Sequence, residues 1–215
     1  YYVIEDGKTK RFQDVPGYDK KTFLEIFENR DPRLGQTFMM PGFMRPGETE
    51  PHRQKITIGG YPQVKYSPLT FDQTEWGKAY TDLPLIRYAE VLLMYAEALT
   101  RSGDWDNPDV YNAINSIRQR PNVMMPKIED CEAIWDAPLD QEKMFKIIQH
   151  ERRVELAFEG QRISDIRRWK IGQSVMMDAY GYTNASIGVI GGSVTATTGK
   201  LNGLREWEAV SYTHL

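Results

Sequence analysis

The sequence has little cysteine, little histidine and no long apolar run, and each shortage excludes a class of site. Its 215 residues include one cysteine, Cys131, so no disulfide can form within the chain and a multi-cysteine metal site is excluded. The three histidines, His52, His150 and His214, lack metal-ligand spacing, and we predict neither a metal nor a cofactor. No apolar run approaches the roughly 20 residues that a membrane-spanning helix needs.

The chain also lacks an excess of charge of one sign. Its 27 basic and 30 acidic residues give a net charge of -3, so no overall field would attract nucleic acid or an anionic membrane. A hydrophobic content of 40% is ordinary for a globular domain. We therefore expect one folded core and no nucleic-acid partner.

Residues 1–82 are interrupted by proline and glycine, which predicts a loop-rich lobe with minor short strands. Within it we expect a short amphipathic helix in residues 18–29, a long loop over 39–51 and a short strand at 55–58. Beyond residue 175 the chain is rich in Gly, Ser, Thr and Ala, which predicts irregular structure or short strands.

The pattern becomes helical at about residue 83. Asp82 is a candidate N-cap, with Pro84 in the first turn, and apolar residues then recur at spacings of three and four. The residues predicted to face inward are Leu85, Ala89, Leu92, Ala96 and Leu99. Ser102 and Gly103 indicate a left-handed C-terminal cap.

A second helix is predicted from Asn107 and Pro108, antiparallel to the first. Its predicted inward residues are Val110, Ala113, Ile114 and Ile117. The pair resembles one tetratricopeptide-type hairpin, with Trp105 expected to staple the two helices. Because a lone hairpin cannot bury its apolar face, it must dock on other helices.

A third helix is predicted from an Asp140 cap to about Gly160, and a shorter one over residues 162–170. The apolar residues expected to be buried are Met144, Ile147, Ile148, Val154, Leu156 and Phe158. The chain is thus predicted to be mainly α, with helical hairpins packed against the loop-rich lobe. We expect one incomplete domain, made of a lobe at 1–82, a helical core at 83–172 and an irregular, truncated segment at 173–215.

Two carboxylates interrupt the apolar face of the third helix. Glu151 and Glu155 follow Ile147 and Ile148 at helical spacing and should also face the core. Buried charges are tolerated when paired, and arginines are abundant nearby. We therefore predict a structural ionic network, whose members are Arg87, Glu151, Arg152, Arg153, Glu155, Glu159 and Arg162.

The pair Glu151 and Glu155 also permits a catalytic interpretation, since glycoside hydrolases use two carboxyl groups. A general acid needs a raised pKa, whereas surrounding arginines lower the pKa of a carboxyl group. The structural interpretation is therefore favoured, and we predict no catalytic residues and no enzyme activity. A polyanion site in the basic stretch 152–170, with Trp169 for stacking, is disfavoured by its interleaved acidic residues.

Three ordered blocks resemble the SusD/RagB family. The first spans residues 83–98 (LPLIRYAEVLLMYAEA), the second residues 114–120 (INSIRQR) and the third residues 151–162 (ERRVELAFEGQR), which is followed by Asp165 and Arg167-Arg168-Trp169. Residues 29–34 (NRDPRL) form a weaker fourth match. The resemblance therefore covers about residues 29–170.

This resemblance implies a tetratricopeptide-like helical protein with a loop-rich binding face. It also implies a surface-exposed outer-membrane lipoprotein of Bacteroidetes-type bacteria that captures nutrient oligosaccharides without catalysis. Its partner would be a SusC-like TonB-dependent transporter, and the membrane would be reached only through an N-terminal lipid anchor outside this chain. The family does not specify which glycan is bound, and a peptide is an alternative ligand.

Exposed aromatic rings suit sugar binding because pyranose rings present apolar faces. The candidates lie in the loop-rich segment before the first strong helix and are Trp76, Tyr80, Tyr66 and Tyr61. The main alternative function is a peptide- or protein-binding helical scaffold without sugar affinity. A glycoside hydrolase that uses Glu151 and Glu155 is the third hypothesis.

Overall fold

The structure, a computed structural model, describes residues 1–18, 21, 25–40, 42–44, 46–50, 62–67, 82, 84–130 and 139–175, and the backbone of 54–55, 179–181, 193–194 and 208–210. The predicted mainly helical class with minor short strands is confirmed. The helices are α1 Arg33–Thr37, α2 Tyr88–Arg101, α3 Pro108–Arg118, α4 Gln141–Glu155, α5 Gln161–Trp169 and α6 Gly172–Val175. The strands are β1 Val3–Glu5, β2 Lys8–Lys10, β3 Gln54–Lys55, β4 Ala179–Gly181, β5 Ser193–Val194 and β6 Glu208–Val210.

The chain forms two compact units, each assembled from separate stretches of sequence. The first consists of Tyr1–Asp14, Asn29–Arg33 and Pro84–Asp165. The second consists of Val15–Glu28, Leu34–Leu83 and Ile166–Leu215. The three-part division at residues 82 and 172 stays a prediction.

The core of the first unit lies where α2 packs on α3 and on α4. Its fully buried centre includes Leu93, Ala96, Val110, Ile114 and Ile148. Trp105 packs against this core from the α2–α3 loop, as predicted. Burial of each large aliphatic side chain contributes about 1.5–3 kcal/mol, so this three-helix contact stabilises the unit substantially.

Helix α2 begins later than predicted. Arg87 is its N-cap residue, with extended backbone angles (φ −134°, ψ 159°) and no side-chain cap hydrogen bond, so Asp82 does not cap it. The bonds of the Arg87 guanidinium to Glu155 and Glu159 hold this residue outside the helix, and its side chain, which has only donors, cannot accept from the first N–H groups of the helix. Leu85 consequently lies outside the helix and is 89% exposed, contrary to the prediction.

The buried stripe of α2 is also rotated from the predicted one. Its centre runs through Ala89, Leu93 and Ala96, whereas Leu92 and Leu99 are only partly buried. Two glutamates, Glu90 and Glu97, are buried beside it. The helix ends as predicted, with Gly103 in the left-handed region at φ +98°.

Helix α3 agrees with the sequence prediction in full. Asn107 is its N-cap, with a side-chain oxygen that accepts from the N–H of Asp109, and Pro108 occupies the first turn. All four apolar residues predicted to face inward are buried. The α2–α3 pair therefore forms the hairpin that the sequence predicted.

Helix α4 begins at the predicted cap and ends early. Asp140 accepts from the N–H of Lys143, but the helix stops at Glu155 rather than near Gly160. Phe158 then adopts φ +64°, which a helix does not allow, and is 49% exposed instead of buried. The connection between α4 and α5 occupies this short stretch.

The described strands form short antiparallel pairs. In the first unit β1 pairs with β2 through a turn in which Asp6 and Gly7 both have positive φ, as a type I′ hairpin requires. In the second unit β3 pairs with β5 and β4 pairs with β6.

Two predictions in the lobe lie partly outside the described residues. For the predicted 55–58 strand, only Lys55 is described, within β3. For the helix predicted in residues 18–29, the described part includes the 3-10 turn Glu25–Phe27. Of the helices that the described residues form, none is both long and apolar enough to cross a bilayer.

Candidate functional site

The buried face of α4 carries two carboxylates at its C-terminal end. Glu151 is 0% exposed and Glu155 is 3% exposed, one helical turn apart and in line with Ile147 and Ile148. Their inward orientation follows from the helical period, as predicted. An ionised carboxylate is stable there only if cations and hydrogen-bond donors surround it.

Glu151 is held between two buried arginines. Nη1 of Arg33 lies 2.9 Å from Oε2 of Glu151, and Nη1 of Arg118 donates to its other oxygen, Oε1. Arg118 also donates from Nε to the carbonyl of Pro126 at 2.7 Å. Both oxygens of Glu151 are thus matched to a guanidinium group.

Three arginines donate hydrogen bonds to Glu155. Arg120 donates to both carboxylate oxygens, at 2.6 and 3.0 Å, in the bidentate geometry that favours arginine over lysine. Arg87 Nη1 lies 2.8 Å from Oε1, and the Arg33 nitrogen that contacts Glu151 also lies 3.3 Å from Oε2 of Glu155. Arg33 therefore bridges the two glutamates.

Two further carboxylates complete the arrangement. Glu159 accepts from Nε and Nη2 of Arg87, at 2.6 and 2.8 Å, and Asp31 accepts from Nε and Nη2 of Arg33, at 3.0 and 2.7 Å. We call these eight residues the ionic cluster: Asp31, Arg33, Arg87, Arg118, Arg120, Glu151, Glu155 and Glu159. Four arginines thereby match four carboxylates.

The ionic cluster determines the protonation of its two central acids. Burial alone would raise the pKa of Glu151, but the positive charges of Arg33 and Arg118 outweigh burial and lower the pKa to about 2. For Glu155, burial is likewise outweighed by hydrogen bonds from Arg120 and Arg87, and the pKa is lowered. Both side chains are ionised at neutral pH.

This arrangement suits a scaffold better than an acid–base catalyst. A general acid must hold a proton near neutral pH, and Glu151 with a pKa of about 2 does not. The oxygens of Glu151 and Glu155 are also occupied by arginine donors. Within the ranges that the structure describes, no group of three or more His, Cys, Asp or Glu residues could hold a metal ion.

The structure places three predicted network arginines outside the ionic cluster. Arg152 forms a separate buried pair with Asp165, in which Nε and Nη2 lie 3.0 and 3.1 Å from the two carboxylate oxygens. Arg153 is exposed on α4, and Arg162 is half-buried at the start of α5. Neither of the last two forms an ion pair with another described residue.

Four members of the ionic cluster were absent from the predicted network. Arg118 and Arg120 belong to the second family-like block, and Asp31 and Arg33 to the weaker fourth. The available signal was the arginine content of these blocks. It could not identify partners, because helical periodicity relates residues within one helix and not residues 118 positions apart.

Of the four aromatic candidates, Tyr66 is described, whereas Tyr61, Trp76 and Tyr80 lie outside the described residues. Tyr66 is half-buried, on a turn where it adopts φ +61°, a conformation that aromatic residues seldom take. The turn is held by its own hydrogen bonds, with Ser67 N–H 2.8 Å from the Val64 carbonyl. Lys65 Nζ lies 5.6 Å from the centre of the Tyr66 ring.

Comparison with known proteins finds relatives that share one family name. The model of the SusD family matches residues 1–199. SusD-like protein P38 of Formosa agariphila is 32% identical over 201 residues, covering 87% of this chain and 37% of the relative. SusD-like protein P2 of the same organism is 37% identical over 90 residues, covering 42% of this chain and 17% of the relative.

A solved structure supports the same fold. The crystal structure of a SusD-like protein from Bacteroides fragilis superposes with a TM-score of 0.64 at 21% identity, covering 98% of this chain and 40% of that one. The chain therefore spans about two-fifths of the length of SusD-like protein P38 and of the solved SusD-like structure. Since the family model covers most of the sequence, this chain belongs to the SusD family.

Proposed function

We propose that the protein takes part in non-catalytic capture of nutrient oligosaccharides at the bacterial cell surface and in their delivery to a SusC-like TonB-dependent transporter. The observation that carries this proposal is the family match across residues 1–199. The same membership supports an outer-membrane location. Because the chain spans only part of its relatives, the ligand, the transporter and the location belong to the proposal.

The ionisation of the central glutamates supports binding without reaction. Glu151 and Glu155 are the pair that a hydrolase would need, and both have lowered pKa values and arginine partners. Substitution of Glu155 by Gln should therefore reduce stability and leave reducing-end release from polysaccharides at background. If the parent protein released reducing ends and a folded Glu155→Gln variant did not, the hydrolase hypothesis would replace this one.

For ligand contact we propose the aromatic residues Trp76, Tyr80, Tyr66 and Tyr61. Tyr66 supports this choice, since strained backbone conformations concentrate at functional sites and its ring is partly accessible on a self-supporting turn. An aromatic face would stack on the apolar side of a pyranose ring. The neighbouring polar side chains Gln63 and Lys65 would then lie beside the sugar hydroxyls.

Affinity electrophoresis against a panel of neutral and acidic polysaccharides tests the proposal. We expect at least one polysaccharide to retard the protein and expect Tyr66→Ala or Trp76→Ala to reduce the retardation. Tyr88→Ala is the matched control, because Tyr88 is a 75% exposed tyrosine at the start of α2 and is not one of the four aromatic candidates. Failure of every polysaccharide to retard the protein would contradict sugar binding.

A peptide- or protein-binding scaffold is the second candidate, and one observation favours it. The start of α2 and the residues before it expose an apolar surface, with Leu85 at 89%, Ile86 at 69% and Tyr88 at 75% exposure. Contiguous exposed apolar side chains are typical of interaction surfaces. If no polysaccharide retards the protein but a peptide library yields a ligand lost in Ile86→Ser, this candidate is supported instead.

A further inference from the structure

A pocket of about 240 Å³ lies between the end of α4 and the start of α5. All its lining residues belong to the first unit. Its charged lining consists of Arg152, Arg153, Arg162 and Asp165. Three cations against one carboxylate leave an excess positive charge, in contrast to the balanced ionic cluster nearby.

The one carboxylate of the pocket is already engaged by one of the arginines. Arg152 is 3% exposed and pairs with Asp165 through Nε and Nη2. Its remaining nitrogen, Nη1, is buried and has no hydrogen-bond partner among the described residues. A buried guanidinium donor without an acceptor costs free energy, which an anion seated deeply enough in the pocket to reach Nη1 would recover.

The other two arginines add unneutralised charge. Burial lowers the pKa of Arg162, and the positive charge of Arg153 lowers it further. Two guanidinium groups that repel each other across a pocket form a favourable place for an oxyanion, which each can bind with two donors.

The first turn of α5 forms part of the same wall. Gly160, Gln161, Arg162 and Ile163 line the pocket, and Gly160 takes φ +77° where the chain enters the helix. The first N–H groups of an α-helix have no carbonyl partner within the helix, and the helix dipole favours negative charge there. The helix start therefore adds to the positive potential that the three arginines create in the pocket.

The rest of the lining is apolar and partly accessible. Phe158 is 49% exposed and Ile163 is 64% exposed, beside the more buried Leu156 and Ala157. Phe158 also holds φ +64°, which is rare for a bulky residue and places the ring at the rim instead of within α4. An aromatic rim beside arginines offers one surface for the apolar face of a sugar ring and another for its charged substituent.

We propose that this α4–α5 pocket binds the oxyanion group of an acidic saccharide, a sulfate ester or a carboxylate, through Arg152, Arg153 and Arg162. The saccharide part rests on the proposed function, whereas oxyanion binding itself does not. The described residues that line the pocket all belong to the first unit and include none of the four aromatic candidates, so it would act as an additional site that selects charged glycans.

Isothermal titration of the full chain at constant ionic strength tests the proposal. The probes are sodium sulfate, glucose 6-sulfate, glucuronic acid and glucose. We expect saturable binding of inorganic sulfate and of at least one acidic sugar, and tighter binding of that sugar than of glucose. Arg153→Gln and Arg162→Gln should each weaken anion binding by about tenfold, which is the effect of losing one charged hydrogen bond.

Arg167→Gln is the control, since Arg167 is an exposed arginine of α5 that does not line the pocket. Arg167→Gln removes the same charge and should leave anion binding unchanged. Arg162→Lys, which keeps the charge, should retain part of the affinity that Arg162→Gln loses. Equal weakening by Arg167→Gln would indicate a nonspecific charge effect and overturn the proposal. Thermal melting confirms that each variant is folded.

The outcomes separate this proposal from the general function. If a polysaccharide retards the protein but no probe with a sulfate or carboxylate binds, the pocket proposal fails and sugar capture stands. Binding of inorganic sulfate without either acidic sugar overturns the assignment to saccharides. If acidic sugars bind through Arg153 and Arg162 while no polysaccharide retards the protein, the pocket is supported and the capture proposal fails.

Discussion

Nη1 of Arg33 lies 2.9 Å from Oε2 of Glu151, although 118 residues separate the two in sequence. Arg33 is 2% exposed, so its charge has little contact with water. The same guanidinium also binds Asp31 and approaches Glu155. One side chain therefore connects the N-terminal part of the first unit to α4. Its removal would leave Asp31, Glu151 and Glu155 with less positive charge to balance them.

Substitution of Arg33 by Leu should lower the free energy of unfolding by about 3–5 kcal/mol, the usual cost of breaking a buried ion pair. Urea denaturation measures the loss. Arg11→Leu is the control, because Arg11 pairs with Asp14 on the surface with 54% of its side chain exposed. That change should cost less than about 1 kcal/mol. Equal effects of the two variants would contradict the role of Arg33.

Stability should fall in acid as Glu151 is protonated. Its pKa is about 2 in the folded protein against 4.5 in the unfolded chain, so the folded state is favoured above pH 4.5. The contribution is lost as the pH falls from 4.5 through about 2, because the unfolded chain takes up the proton first. Glu151→Gln should be less stable at pH 7 and show a flatter stability profile over this range.

His150 should add a second loss of stability at a higher pH. Burial lowers the pKa of His150 from 6.5 to about 3, and the ring packs on Tyr2 with centroids 4.0 Å apart. The folded protein therefore holds the His150 ring in its neutral form. Because the unfolded chain takes up the proton first, stability falls as the pH drops from 6.5 to about 3. His150→Phe should remove the slope between pH 6.5 and 4.5, measured by urea denaturation at several pH values. An unchanged slope in that variant would contradict the assignment.

The buried pair of Arg152 and Asp165 allows a double-mutant test. Asp165→Leu alone should cost about 3–5 kcal/mol, because it leaves the Arg152 charge buried without its carboxylate. The double variant Arg152→Met/Asp165→Leu should recover most of this loss, since two apolar side chains need no counter-charge. Free energies of unfolding of the single and double variants give the coupling. Additive losses would show that the two side chains act independently.

Local features of the helices were predictable from sequence because they depend on near neighbours. The Asn107 and Asp140 caps and the inward Val110 and Ile114 follow from short-range rules, and the structure confirms them. The inward orientation of Glu151 follows from the same period.

The start of α2 and the end of α4 could not be predicted in the same way. Arg87 delays the start of α2 because it bonds to Glu155 and Glu159, which are 68 and 72 residues away. Phe158 leaves the helix two residues before Gly160, the residue at which the local pattern predicted its end. The predicted ionic network likewise lacked Arg33, because a charge pattern shows the need for a partner and not its identity.

The order of the ionic cluster along the chain has a consequence for synthesis on the ribosome. All four of its arginines precede all three of its glutamates, the last of which is Glu159. At about 5–20 residues per second, Arg33 is made roughly 6–24 s before Glu151. During that interval a nascent chain carries Arg33 with only Asp31 of its cluster carboxylates, so this part of the first unit completes its folding only after Glu159, beyond the end of α4, has left the ribosome.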